Sequence, residues 1–288
     1  MTMKHAYLII AHHEPEILQL LISALDDERN DIYVHIDKKA PFDGGELYVQ
    51  KSRLVLLDNR KDARWGDFSL VEVEIALFKE AYKQGSYAYY HLLSGVDLPL
   101  RSQDYIHAYC AAHAGTEFIG FAQNVTEKEL RWRSQHYFLF AREFNTSCCW
   151  KRALRCLFVK MQDIIGYRRI RMEVKKGAQW CSVTHDFAGY LLLHEKEIHK
   201  YFHHTYCPDE LFIQTLCWNS DFRRRVHSLT DEFEGCKRYI KWVNGELLPF
   251  TCEDINDMQN SARWFARKFN SNNQDIMKHI IITQQDMK

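Results

Sequence analysis

The 288-residue chain is 46% hydrophobic and carries 38 Lys and Arg against 38 Asp and Glu. That length and apolar content support a substantial buried core, and the charge balance excludes a general electrostatic attraction to nucleic acid. Nine cysteines, an odd number with no Cys-x-x-Cys pair, argue against a disulfide framework and a structural zinc site and point to reduced thiols in a cytoplasmic protein.

The run Ala6-Tyr7-Leu8-Ile9-Ile10-Ala11 is too short to span a bilayer or to serve as a signal peptide, and it reads as a first core strand over about 5–11. Behind Glu14-Pro15-Glu16, the residues Ile17, Leu18, Leu21, Ile22 and Leu25 recur at helical spacing. The β-branched run Asp31–Ile36 suits a second parallel strand and Leu54–Leu57 a third. An amphipathic segment from Leu70 to about Tyr82 precedes another strand over Tyr87–Leu93. This alternation predicts an α/β fold with a doubly wound, mostly parallel sheet, whose ligand crevice lies beyond the carboxyl ends of the strands. His12, Asp37 and Asp97 each follow an apolar strand directly, so three polar groups far apart in sequence converge on that crevice.

The stretch 122–176 is less regular and basic, with Arg131-Trp132-Arg133, Cys148-Cys149-Trp150-Lys151-Arg152 and Arg168-Arg169-Ile170-Arg171. It reads as a solvated helical face, with an acceptor-side lobe of arginines and aromatics as the alternative. A strand-like Gln179–Val183 then leads into a helix through Leu193, and a second helix is expected from Pro208.

Tyr206-Cys207-Pro208-Asp209-Glu210 sets two carboxylates behind a proline. Proline fits a first helical turn, where its missing amide proton is not needed, and acidic residues suit the positive end of the helix dipole. That capping role does not single out Glu210, which is also a candidate general base. His12-His13 suggests a metal site with Asp37 and Asp97, but adjacent histidines on a strand point in different directions and no neighbouring histidine completes a ligand set.

Taken in order, His12-His13, Val34-His35-Ile36-Asp37, Ser94-Gly95-Val96-Asp97-Leu98-Pro99, Pro208-Asp209-Glu210 and Phe265-Ala266-Arg267-Lys268-Phe269 resemble one family over nearly the whole chain. It is the core-2/I-branching β-1,6-N-acetylglucosaminyltransferases, which also contains the peptide O-xylosyltransferases. The resemblance implies a GT-A-like fold with a Rossmann-like sheet. It implies a single domain over 1–288, with a nucleotide-binding half of about 1–121 and an acceptor and catalytic half of about 122–288.

The resemblance also implies roles. Glu210 is the general base that deprotonates the acceptor hydroxyl. Lys268 is a ligand of the departing diphosphate, and Arg238 the second such cation, with Arg267 as the fallback. Asp37 contacts the uridine, Ile10 flanks its base and His12 shapes the donor pocket. Trp65 matches a tryptophan of the sugar pocket, although the family's tyrosine three positions earlier is Asp62 here. Asp97 faces the donor sugar or orders a cation, with a conformational role in the turn before Pro99 as the alternative.

Many glycosyltransferases hold a divalent ion with Asp-x-Asp, and this chain contains no such motif. Cationic side chains in place of the metal are therefore expected, with no metal and no cofactor. The expected activity is a metal-independent inverting transfer from a UDP-sugar, UDP-GlcNAc with UDP-xylose as the alternative, to a glycan or glycolipid. A bacterial enzyme building surface glycans fits, cytoplasmic or peripheral at the inner membrane. Competing readings are a catalytically silent glycan- or nucleotide-binding protein and a metal hydrolase built on His12 and His13.

Overall fold

The computed structural model describes residues 4–144, 146–166, 169–243, 246–273, 275–278 and 280. The chain opens with β1 (His5–Ala11), α1 (Pro15–Leu25), β2 (Asn30–Ile36), β3 (Arg53–Leu56), α2 (Ser69–Gln84), β4 (Tyr89–Ser94), β5 (Leu98–Pro99) and α3 (Gln103–Ala112). Every residue of β1, β2 and β4 is buried. Strands covered on both faces belong inside a parallel sheet. β1 accordingly lies between β2 and β4, parallel to each, with Ile10 opposite both His35 and Ser94.

Because successive side chains point to opposite faces, each strand feeds two cores. Ala6, Leu8 and Ile10 join Val71, Leu77 and Phe78 of α2 on one face. Tyr7, Ile9 and Ala11 join Ile17, Leu18, Leu21 and Leu25 of α1 on the other. Each fully buried Leu or Ile contributes about 1.5–3 kcal/mol, so these two layers fix which helix covers which face.

The remainder runs α4 (Glu127–Gln135), α5 (Cys149–Ile165), β6 (Ser182–Thr184), α6 (His185–Leu193), α7 (Glu195–Phe202), α8 (Phe212–Trp218), α9 (Glu232–Gly235), β7 (Arg238–Ile240), β8 (Trp242–Val243), β9 (Glu246–Leu247), α10 (Ile255–Asn260) and β10 (Phe265–Arg267). β6 pairs antiparallel with β4 and completes a sheet of order β3-β2-β1-β4-β6. The expected α/β, mostly parallel, helix-flanked architecture of a GT-A-like fold is what the chain adopts.

A second sheet of order β5-β10-β7 decides the geometry of the site. β10, near the C-terminus, pairs antiparallel with β5, Phe265 opposite Pro99 and Ala266 opposite Leu98. The turn that carries Asp97 is thereby brought against Arg267.

Two expectations change. The stretch 122–176 is more regular than its sequence suggests, since α4 and α5 occupy much of it; Arg168 of its basic run lies outside the described residues. Pro208 opens only a 3-10 turn, Pro208–Glu210, and the α-helix begins at Phe212, so Asp209 and Glu210 do not cap a long dipole. All nine thiols are free. No helix among the described residues is long and apolar enough to cross a membrane.

Candidate active site

His12, Asp37 and Asp97 lie just past β1, β2 and β4, at the carboxyl edge of the parallel strands. The edge closes tightly at Gly95, whose amide donates to Ile10 O at 2.8 Å. A Cβ there would stand 2.8 Å from that of Ala11, so only glycine lets the two strand ends meet. Ile10 itself is 6% exposed, beneath this edge and joined to the α2 face.

The polar residues of Val34-His35-Ile36-Asp37 fasten the following loop. Lys61 N donates to His35 Nε2 at 2.9 Å, and burial holds this imidazole down at about 4, so it stays neutral. Asp37 accepts from Lys39 N at 2.7 Å and from Ala63 N at 3.0 Å, with Lys39 Nζ at 3.4 Å. Its carboxylate is therefore largely spent on positioning the segment that presents Trp65, which is 61% exposed. Lys39 also bridges to Asp62, which pairs in turn with Arg64 at 2.8 Å. Asp62, standing where the family's tyrosine is expected, thus belongs to an ion-pair chain.

Asp97 is fully buried and combines its two alternatives. It accepts from Ser94 N at 2.9 Å and Ser94 Oγ at 2.6 Å, closing the turn before Pro99. It also faces Arg267 Nε at 3.4 Å. Burial raises its pKa, and Arg267 opposes that shift. The Arg267 guanidinium lies 4.4 Å from the Trp180 ring centroid.

Arg238 requires a correction. It is 1% exposed, and its guanidinium donates to the carbonyls of Cys236, Leu92 and Cys181 at 2.7, 3.2 and 2.8 Å. A cation spent on core carbonyls cannot clamp a diphosphate without leaving the core, whereas the fallback Arg267 keeps a 17% exposed side chain. Lys268 adjoins Arg267, and the next amide, Phe269 N, donates to Val96 O at 3.0 Å, which sets Lys268 beside the Asp97 turn. Burial lowers the pKa of His13, and Lys268 and Arg267 lower it further.

Glu210 stands at the end of its 3-10 turn with a partly exposed carboxylate. Arg133 Nη1 donates to Oε2 at 2.7 Å, and Lys176 Nζ lies 3.9 Å from the same oxygen. Both cations also pair with Glu129, at 3.2 and 3.3 Å. Oε1 takes no hydrogen bond from the described residues and is left open. The neighbouring Asp209 points the other way, into the core, where burial and then the charge of Glu210 push its pKa upward. Buried Glu74 is raised likewise, by burial and then by Asp209.

Two contacts seat the Glu210 turn. Cys207 N donates to Gly66 O at 3.1 Å while Trp65 meets Tyr206 edge-on at 5.7 Å. Gly177 N donates to Glu210 O at 3.0 Å, and a Cβ on Gly177 would collide with Gly120 O. The Glu210 turn therefore touches the Asp37-anchored loop on one side and, through 177–180, the Trp180 and Arg267 contact on the other.

His12 and His13 stand past the strand end, where alternation no longer applies, and their rings lie 4.0 Å apart. Burial, then His13, lowers the pKa of His12. The set of three ligand-type side chains that converges among the described residues is elsewhere: His5, His91 and Cys110, all buried. An open cleft of about 990 Å³ adjoins the loop, lined among others by Lys38, Asp62, Asp67, Phe140 and Arg142. Glu210 and Lys268 do not line it.

Sequence reasoning missed Arg133 and Lys176 as partners of Glu210, and Glu129 as the carboxylate that both cations share with it. The i, i+4 spacing of Glu129 and Arg133 marks one helix face, but nothing local indicates that this face meets residue 210.

The family model described as Core-2/I-Branching enzyme matches residues 5–267. The chain is 22% identical over 302 residues to "Xylosyltransferase 2" of Rattus norvegicus, covering 95% of this chain and 33% of that protein. It is 22% identical over 270 residues to "Beta-1,3-galactosyl-O-glycosyl-glycoprotein beta-1,6-N-acetylglucosaminyltransferase" of Homo sapiens, covering 90% of this chain and 54% of that protein. The chain thus spans about a third to a half of the length of these curated relatives.

Proposed function

Because the chain belongs to the Core-2/I-Branching enzyme family, we propose that it transfers a sugar from a UDP-sugar, in the first reading UDP-GlcNAc, to a hydroxyl of a glycan or glycolipid, inverting the anomeric carbon without a divalent metal. The observation that carries this reading is Glu210: Oε2 is held by Arg133 while Oε1 is open. An oriented carboxylate with one free oxygen suits a general base.

In the reaction, Oε1 takes the acceptor's hydroxyl proton as that oxygen bonds to the anomeric carbon. The bond from that carbon to the diphosphate breaks, and its electron pair leaves with UDP. Lys268 and Arg267 neutralise the charge that develops there, acting as preorganised cations. Asp97 orients Arg267, and Trp65 offers an exposed face for the sugar. We assign about 1–121 to the nucleotide and about 122–288 to the acceptor and the base. The resemblance to proteins named xylosyltransferase 2 supports UDP-xylose as the second reading.

The test is turnover of UDP-GlcNAc and UDP-xylose by the wild-type chain and by Glu210→Gln. Loss of turnover with UDP affinity retained is expected; equal activity in the variant rejects the mechanism.

A further inference from the structure

α5 is an amphipathic helix turned inside out. Its narrow buried face is Arg155, Val159 and Gln162. Trp150, Leu154, Leu157, Met161, Ile164 and Ile165 are all exposed, Ile164 at 86%. At about 100° per residue these six positions fall within an arc of roughly 100°. Ordinary surface helices point such a stripe at the core; this one points outward.

The flanks of the stripe are basic. Lys160 borders one edge and Lys151 the other, and Arg171 follows beyond the helix end, whereas Arg152 sits on the opposite side of the helix. Lys160 is exposed and carries no ion pair among the described residues, whereas Lys151 pairs with Glu143. The helix has a single acidic residue, Asp163, already paired with His136 at 3.0 Å and Arg131 at 3.9 Å on the side away from the stripe.

We propose that α5 is a membrane-docking surface, lying in the headgroup region of an anionic bilayer with Trp150, Leu154, Leu157, Met161 and Ile164 inserted. Outward apolar residues edged by lysine and arginine are the pattern of interfacial helices, whose binding adds apolar burial to attraction for anionic lipid. A second copy is the other occupant such a stripe could take, but α5 against α5 sets lysine edges together with no carboxylate to answer them. Phe158 of the same helix lines the 990 Å³ cleft, so docking would hold the mouth of that cleft near the bilayer. The surface does not depend on the transfer reading, because vesicle binding is measured without any sugar donor.

The test is co-sedimentation of the 288-residue chain with phosphatidylcholine vesicles, with and without phosphatidylglycerol, for wild type, for L157E/I164E and for K160E. All three positions are exposed, and thermal melting controls for folding. The expected result is binding to the anionic vesicles that weakens with salt and falls at least about tenfold in each variant. Wild-type binding equal on neutral vesicles, no binding at all, or unchanged binding in L157E/I164E overturns the proposal. So does sedimentation velocity showing a dimer that L157E/I164E dissolves.

Discussion

Arg133 and Glu210 are joined at 2.7 Å, and the pair links α4 of the basic middle stretch to the 3-10 turn 77 residues later. The arginine that reads as part of a solvated helical face is thus the group that orients the candidate base. Arg133→Met should lower kcat by about 10- to 100-fold, the range expected when a reacting group is misplaced. In a Glu210→Gln background the same substitution should cost nothing further, because the two act as a unit. Steady-state kinetics of the cycle check this.

Glu210→Gln should lower transfer by about 10²–10⁴-fold, the usual contribution of a positioned acid or base. UDP should still raise the melting temperature of that variant, since ligand binding to the native state is unaffected. Donor turnover and thermal shift on one preparation separate chemistry from binding.

Removing Arg238 from the diphosphate contact predicts opposite phenotypes for it and for Lys268. Arg238→Met leaves buried carbonyls without their donor and should destabilise the fold by about 2–4 kcal/mol. Lys268→Met should leave the melting temperature within a degree or two and weaken UDP binding by about tenfold or more. Denaturant unfolding and UDP titration of both variants decide which cation meets the diphosphate.

Donor turnover after exhaustive dialysis against EDTA should match that of the untreated chain if the proposed clamp of side chains meets the departing charge. Restoration of lost activity by manganese or magnesium would show that the departing charge is instead met by a metal.

Glu117 is fully buried and accepts from Thr184 N at 2.9 Å; burial pushes its pKa up to about 7. The folded state therefore holds this proton more tightly than the unfolded chain does. Its stabilising contribution is complete below about 4.5 and is lost as pH rises through about 7, with a slope of at most about 1.4 kcal/mol per pH unit. The melting temperature should fall between pH 5 and 8, and Glu117→Gln should flatten that fall. Glu74, raised by burial and then by Asp209, acts in the same direction.

The parallel strands were legible because their signal is local. Seven buried residues in β1 and seven in β2 appear in the sequence as unbroken apolar and β-branched runs, and α1 appears as a 3.6-residue period. The placement of His12, Asp37 and Asp97 at one edge followed from that alternation alone. The Pro208 helix was misjudged because proline marks a 3-10 turn as readily as the first turn of an α-helix. Arg238 was misjudged because a buried arginine bonded to carbonyls and a solvent-facing one have the same local sequence.

By itself, then, the sequence determined the two-faced parallel sheet, its carboxyl edge and the family to which the motifs belong, since hydrophobic period and short motifs are properties of neighbouring residues. Only the tertiary structure decided which cation serves which carboxylate. The β5 and β10 pairing brings Asp97 to Arg267, and the packing of α4 against the 208–210 turn brings Arg133 to Glu210. Both unions span many tens of residues, and they are set by long-range strand pairing and burial, which leave no periodic trace along the chain.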